Sequence, residues 1–179
     1  MKIATKTGDK GKTGLLFGGR HSKTGLVFDV LGDLDEASAM IGLVKSKTGT
    51  LTPDKDNCQL DEIQKDIIAI MGEINCSSKK EEDTYIEKYG ALNHEALTKI
   101  DSVVEKLQSM DELVPKGWVI YGKTEISAYL DLCSKVIRRA ERSYLRLKEQ
   151  DLFERRDLIG SYINRLSDLF YLLARLEEI

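Results

Sequence analysis

Residues 5–19 read Thr-Lys-Thr-Gly-Asp-Lys-Gly-Lys-Thr-Gly-Leu-Leu-Phe-Gly-Gly, a composition suited to holding a polyphosphate. The glycines Gly8, Gly11, Gly14, Gly18 and Gly19 let the backbone turn and bring N–H groups close to an anion. Thr5, Thr7 and Thr13 add hydroxyl donors. Lys6, Lys10, Lys12 and Arg20 stand against the single acid Asp9, so residues 6–20 carry +3 in a chain whose net charge is −3. No G-x-x-x-x-G-K-[ST] loop can be drawn through the segment. Composition leaves two readings open, a phosphate-binding loop and a loose N-terminal tail.

A second set of candidate anion ligands lies in Arg138-Arg139-Ala140-Glu141-Arg142. At 100° per residue, Asp131, Lys135, Arg138 and Arg142 gather opposite the apolar stripe of their helix, with Arg138 one turn from Arg142. Two guanidiniums so placed can grip phosphate oxygens in pairs. The other reading is a solvated face, with Asp131 and Glu141 as partial partners. Further on, Asn164 and Asp168 lie four apart and away from the apolar positions of the last helix, and a helical Asn suggests a specific hydrogen bond. Gly32-Asp33-Leu34-Asp35-Glu36 places three acids early in the first helix, where the helix dipole favours them. The sole tryptophan, Trp118, sits with Tyr121 in a short apolar run bounded by glycines. Such a run plugs a core or walls a pocket for a flat ligand, and the sequence favours the plug.

The elements that must position these residues are helices. Pro53 and Pro115 are the only prolines, and both fall between periodic segments. Apolar residues recur at helical spacing over residues 27–47, from Leu60 to Ile74, over 92–107 with Asn93 as a cap, from about Thr124 to Tyr144, and over 159–173. Five amphipathic helices, each with one stripe, predict an all-α, five-helix up-and-down bundle. The charged run at residues 77–83 reads as a solvated loop, and residues 15–17 as a short strand. One domain spans 1–179, with 1–25 as a nucleotide-binding segment and 26–179 as the bundle. A net charge of −3 argues against general nucleic-acid binding, and no apolar run approaches the ~20 residues that cross a bilayer. Residues 1–6 lack the apolar core of a secretory signal, which predicts a cytoplasmic protein. Cys58, Cys76 and Cys133, without a C-x-x-C, and only two histidines make a disulfide framework or a protein metal site improbable.

In order, the motifs are T-K-T-G-D-K-G-x-T-G-L-x-x-G-G-R, G-D-x-D-E, R-R-A-E-R and Y-x-N-R-L-S-D. The series resembles the PduO-type ATP:cob(I)alamin adenosyltransferases from Thr5 to Arg175. The resemblance implies a homotrimer with active sites between subunits and an N-terminal segment folded over ATP. Thr5, Lys6, Thr7, Gly8, Asp9, Lys10 and Gly11 would surround ATP from one subunit; Arg138, Glu141, Arg142 and Asn164 would complete the site from the next. Magnesium would share the triphosphate charge. The reaction implied is attack of cobalt(I) of cob(I)alamin on the ribose 5′ carbon, with triphosphate leaving and adenosylcobalamin formed. The protein's tasks are then to position the carbon, to stabilise the leaving group and to keep the corrin's lower face free. Catalysis falls to Arg138, Arg142 and Asp35, and contact with the corrinoid to Trp118 and Asp35. A cobalamin reductase fits as a partner.

Three positions depart from the pattern. Trp118 stands where an aromatic, usually Phe, crowds the corrin, with Tyr121-Gly122-Lys123 in place of a Pro-Gly-Gly portion. Ser134 replaces an arginine that pairs with the acid at Asp35, and Ser38 replaces an asparagine. All three lie on the implied corrin side. The alternative functions are an ATP-binding relative without transferase activity, acting as corrinoid carrier or regulator, and a helical assembly protein whose basic face is an oligomer contact.

Overall fold

The computed structural model describes residues 4, 6–48, 60–113, 115–150 and 155–179. An antiparallel hairpin of β1 (Lys12–Leu15) and β2 (Gly18–Ser22) precedes α1 (Leu26–Thr48), α2 (Leu60–Ile74), α3 (Lys79–Tyr89) and α4 (His94–Gln108). A 3-10 turn at Asp111–Leu113, then α5 (Glu125–Gln150) and α6 (Asp157–Leu176), complete the chain.

The stripes read from the sequence become one core. Val30, Leu34, Ile41, Ile67, Ile70, Ile137, Tyr144, Tyr162 and Phe170 are all buried in it. Polar cross-links fix the directions of the helices. Lys45 meets Asp61, and Gln64 donates to the Ser38 carbonyl, so α1 and α2 run antiparallel. Arg139 meets Asp33 near the start of α1, while Lys47 meets Glu125, so α1 and α5 are antiparallel as well. Ser134 donates to the Ser167 carbonyl and Tyr144 to that of Arg156, which sets α6 antiparallel to α5. The five long helices form the expected up-and-down bundle.

The ends are capped by local chemistry. The Asn93 side chain accepts from the Ala96 amide at 2.9 Å, as its position before the periodic run predicts. Thr124 and Ser127 exchange reciprocal backbone-to-hydroxyl bonds at 3.0 and 3.1 Å and so start α5. Glu73, fully buried at the end of α2, accepts from the Leu92 amide at 3.0 Å and from Arg156 at 2.7 Å. Arg155 donates to the Cys76 carbonyl at 3.1 Å. One carboxylate thus joins the end of α2 to the starts of α4 and α6, and its charge is met by a cation and an amide, as burial requires.

Three expectations change. Residues 77–83 are not a loop: Ser78 caps α3 by accepting from the Glu81 amide, and Ser77 donates to Glu81 at 2.8 Å. Glu82 is buried and paired with Lys79 at 2.6 Å, and Tyr85 closes over α2 at Gly72, where a Cβ would lie 2.0 Å from the tyrosine ring. The strand is Lys12–Leu15, and Leu16 and Phe17 form the exposed turn after it. Asp131 is not on the solvent face: it is buried 2.5 Å from Arg175 of α6. Among the described residues, no helix is long and apolar enough to cross a membrane.

Candidate functional site

The N-terminal segment folds on itself before it meets the bundle. Lys6 has a left-handed backbone (φ 57°), and Asp9 and Gly11 donate to the carbonyls of Lys6 and Gly8 at 3.4 and 3.2 Å, making two consecutive turns. Gly11 sits at φ 72°, a conformation that favours glycine. Arg20 reaches back across the hairpin and donates to the carbonyls of Thr7 and Lys12. The Lys23 amide bonds the Gly11 carbonyl at 2.9 Å, while its ammonium lies where a Cβ on Gly8 would be 2.9 Å away. Residues 7–11 are therefore a turn tied down at both ends, with Lys6, Lys10 and Lys12 exposed around it. Lys23 is a further cation at this turn that the motif reading did not single out. Thr5 lies outside the described residues.

The second half is built on α5 and α6. Arg138 and Arg142 are exposed and one turn apart, with Arg142 donating to the Arg138 carbonyl at 3.2 Å. Asn164 donates from its amide to Glu141 at 2.7 Å, so the R-R-A-E-R and N-R-L-S-D motifs meet across the helix pair. Glu141 and Asn164 line a groove of about 550 Å³ together with Leu145, Lys148, Asp157 and Arg165, and Arg138 and Arg142 stand outside it. No residue of the N-terminal turn lines it.

The acids of α1 divide differently from expectation. Asp33 accepts from Arg139 Nε at 2.7 Å and from the Ser143 hydroxyl at 2.6 Å, and Glu36 takes the other side of the same guanidinium. The Asp33 pairing holds the Arg139 guanidinium above its usual pKa. Asp35 points about 200° away from Asp33 around the helix and stands exposed. Ser134, in the position of the missing arginine, is buried and bonded to α6 at 3.0 Å. Ser38 gives its carbonyl to Gln64. Among the described residues, no hydrogen bond or ion pair joins Asp35 to another candidate residue.

Trp118 is fully exposed and does not plug the core. Ile120 and Tyr121 are exposed beside it, so the segment between the 3-10 turn and α5 presents an apolar face to its surroundings. Its chain neighbours explain this. Leu113 is buried in the core just before the segment and Ile126 packs against it just after, so the chain re-enters the core on either side of the indole and not at it.

The sequence profile of the family described as cobalamin adenosyltransferase matches residues 3–177. The cobalamin adenosyltransferase of Cupriavidus metallidurans is 31% identical over 176 residues, covering 97% of this chain and 86% of the relative. The human corrinoid adenosyltransferase is 32% identical, covering 97% of this chain and 68% of the relative. Among solved structures, a variant PduO-type ATP:corrinoid adenosyltransferase from Lactobacillus reuteri, complexed with cobalamin and ATP, superposes with a TM-score of 0.84 at 24% identity. That alignment covers 99% of this chain and 91% of the other, and it extends the likeness of fold to the N-terminal hairpin. The chain belongs to the cobalamin adenosyltransferase family.

Proposed function

We propose that the protein transfers the 5′-deoxyadenosyl group of ATP to a reduced corrinoid, at sites shared between neighbouring subunits of a homotrimer. The observation that carries this is the division of the cationic residues. A tethered Gly-Thr-Lys turn and an exposed Arg138–Arg142 pair, on separate elements of the chain, each offer part of a triphosphate site. A neighbouring copy supplies the missing half. In this reading Lys6, Thr7, Gly8, Asp9, Lys10 and Gly11, with Thr5, wrap the triphosphate from one subunit. Arg138 and Arg142 hold the leaving triphosphate from the next, where charge builds as the C5′–O bond breaks. Glu141 and Asn164, already bonded to each other, fix that face of the groove and orient the nucleoside.

Among the described residues, no group of three His, Cys, Asp or Glu side chains is placed to hold a metal. Magnesium accompanying ATP would share the charge of the triphosphate. The corrinoid supplies the nucleophile, so the chain needs no nucleophile or general base of its own. Trp118 and its apolar neighbours offer the surface for the corrin, and Asp35 stands exposed for a contact across the subunit boundary. A cytoplasmic setting, where a reductase could deliver the reduced corrinoid, suits this chemistry.

The test is direct. Purified protein given ATP, magnesium and chemically reduced cobalamin should show the rise of the adenosylcobalamin spectrum together with stoichiometric triphosphate. Tight ATP binding without that spectrum would replace the transferase with a carrier or regulator.

A further inference from the structure

Residues 115–123 form an irregular bridge into α5, and the contacts that hold it lie at its far end. The Tyr121 ring covers the Lys135 ammonium at 4.6 Å and the Arg175 guanidinium at 5.8 Å from its centroid. Tyr171 of α6 takes the same two cations, each at 5.2 Å. Gly122 then turns the chain at φ 90°, and Lys123 donates to the Glu178 carbonyl. Two cations of the bundle are thus clasped between one ring from α6 and one ring from the bridge.

The centre of the clasp is costly. Arg175 is buried and bonded through Nη2 to Asp131 at 2.5 Å and Glu178 at 3.3 Å, yet its Nε and Nη1, and Oδ1 of Asp131, have no hydrogen-bond partner among the described residues. Unpaired buried donors destabilise a fold, and well-packed apolar residues commonly replace a buried ion pair without loss. Stability is therefore a poor reason for placing this pair here. What the pair does provide is a flat, fixed cation, the kind of group on which an aromatic ring settles. The ring that settles is Tyr121, three residues from the exposed Trp118.

We infer, resting on the corrinoid reading above, that Asp131, Lys135 and Arg175 with Tyr171 are positioning residues that clasp Tyr121, hold Trp118 in place, and so set how the protein accepts its corrinoid while leaving ATP untouched. None of them needs to touch the reacting atoms. They act through the bridge.

Trp118 is the sole tryptophan, so intrinsic fluorescence reports on this bridge alone. Tyr121→Leu and Lys135→Met should each lower the steady-state anisotropy of Trp118 in the free protein. Each should weaken quenching of its fluorescence by hydroxocobalamin and raise the cobalamin KM by about tenfold, with the ATP KM within about twofold of the parent. Tyr121→Phe keeps the ring and should restore parental anisotropy and cobalamin KM. Unchanged anisotropy and unchanged cobalamin affinity in both disruptive variants would overturn the inference, as would an equal rise in the ATP KM. If the parent showed no adenosyl transfer, the proposed reaction would fall. The anisotropy and quenching comparison would still decide on the clasp.

Discussion

At the scale of single residues, adjacent arginines in one motif have opposite surroundings. Arg138 faces solvent, whereas Arg139 is engaged by Asp33 and Glu36 of α1. Arg138→Ala should lower kcat for adenosyl transfer by about 10²-fold, the scale of removing one donor to developing charge, with stability unchanged. Arg139→Ala should do the reverse, costing about 1 kcal/mol of unfolding free energy, since the pair is partly exposed, and leaving kcat near the parent. Urea unfolding and steady-state kinetics on both variants check the contrast. The outward direction of Arg138, Arg142 and Asn164 was legible from helical pitch alone, because each lies opposite its own apolar stripe. The bond from Asn164 to Glu141 was legible only as an unnamed hydrogen bond, since its partner is 23 residues away. Asp131 was misread for a related reason. It sits at the margin of the stripe of α5, and the arginine that draws it inward is 44 residues distant.

At the scale of elements, the long helices were legible because each carries enough apolar residues to set a period. α3 was not, because its eleven residues bury only Glu82 and Tyr85. Its one local signal was Ser78-x-x-Glu81, a capping pattern inside what looked like a charge run. The helix is held to α2 by a glycine, and Gly72→Ala should force Tyr85 out of its place. The expected cost is about 1–3 kcal/mol, measured by chemical denaturation. Combined with Tyr85→Ala, the second substitution should add much less than it costs alone, since one contact is broken in both. Trp118 shows the opposite limit of pattern reading. Aromatic content marked the segment as apolar, but the chain enters the core at Leu113 and Ile126, on either side of the indole, and the indole itself faces outward.

At the scale of the whole molecule, the bundle is a closed core that leaves the N-terminal turn and the Arg138–Arg142 pair exposed. Burial pushes the Cys133 thiol up to about 12 and the Cys76 thiol up to about 11. Both should therefore stay unreactive at neutral pH. In a Cys58→Ser background, a thiol reagent at pH 8 should label neither in the native protein and both after unfolding; rapid native labelling would mean that the bundle opens locally. The fold was readable as a sum of stripes, whereas a site built from two copies has no signature in periodicity, only in residues that face away from their own core. In the proposed trimer the N-terminal turn of one subunit serves the arginines of another. The sharpest test of this sharing mixes two variants, Lys10→Ala in the turn and Arg138→Ala on α5, each expected to be nearly inactive alone. Refolded together in equal amounts, they should recover about a quarter of parental adenosyl transfer, because every mixed ring of three keeps one intact pairing. A mixture no more active than either variant alone would place the site within one subunit and rule out sharing between neighbours.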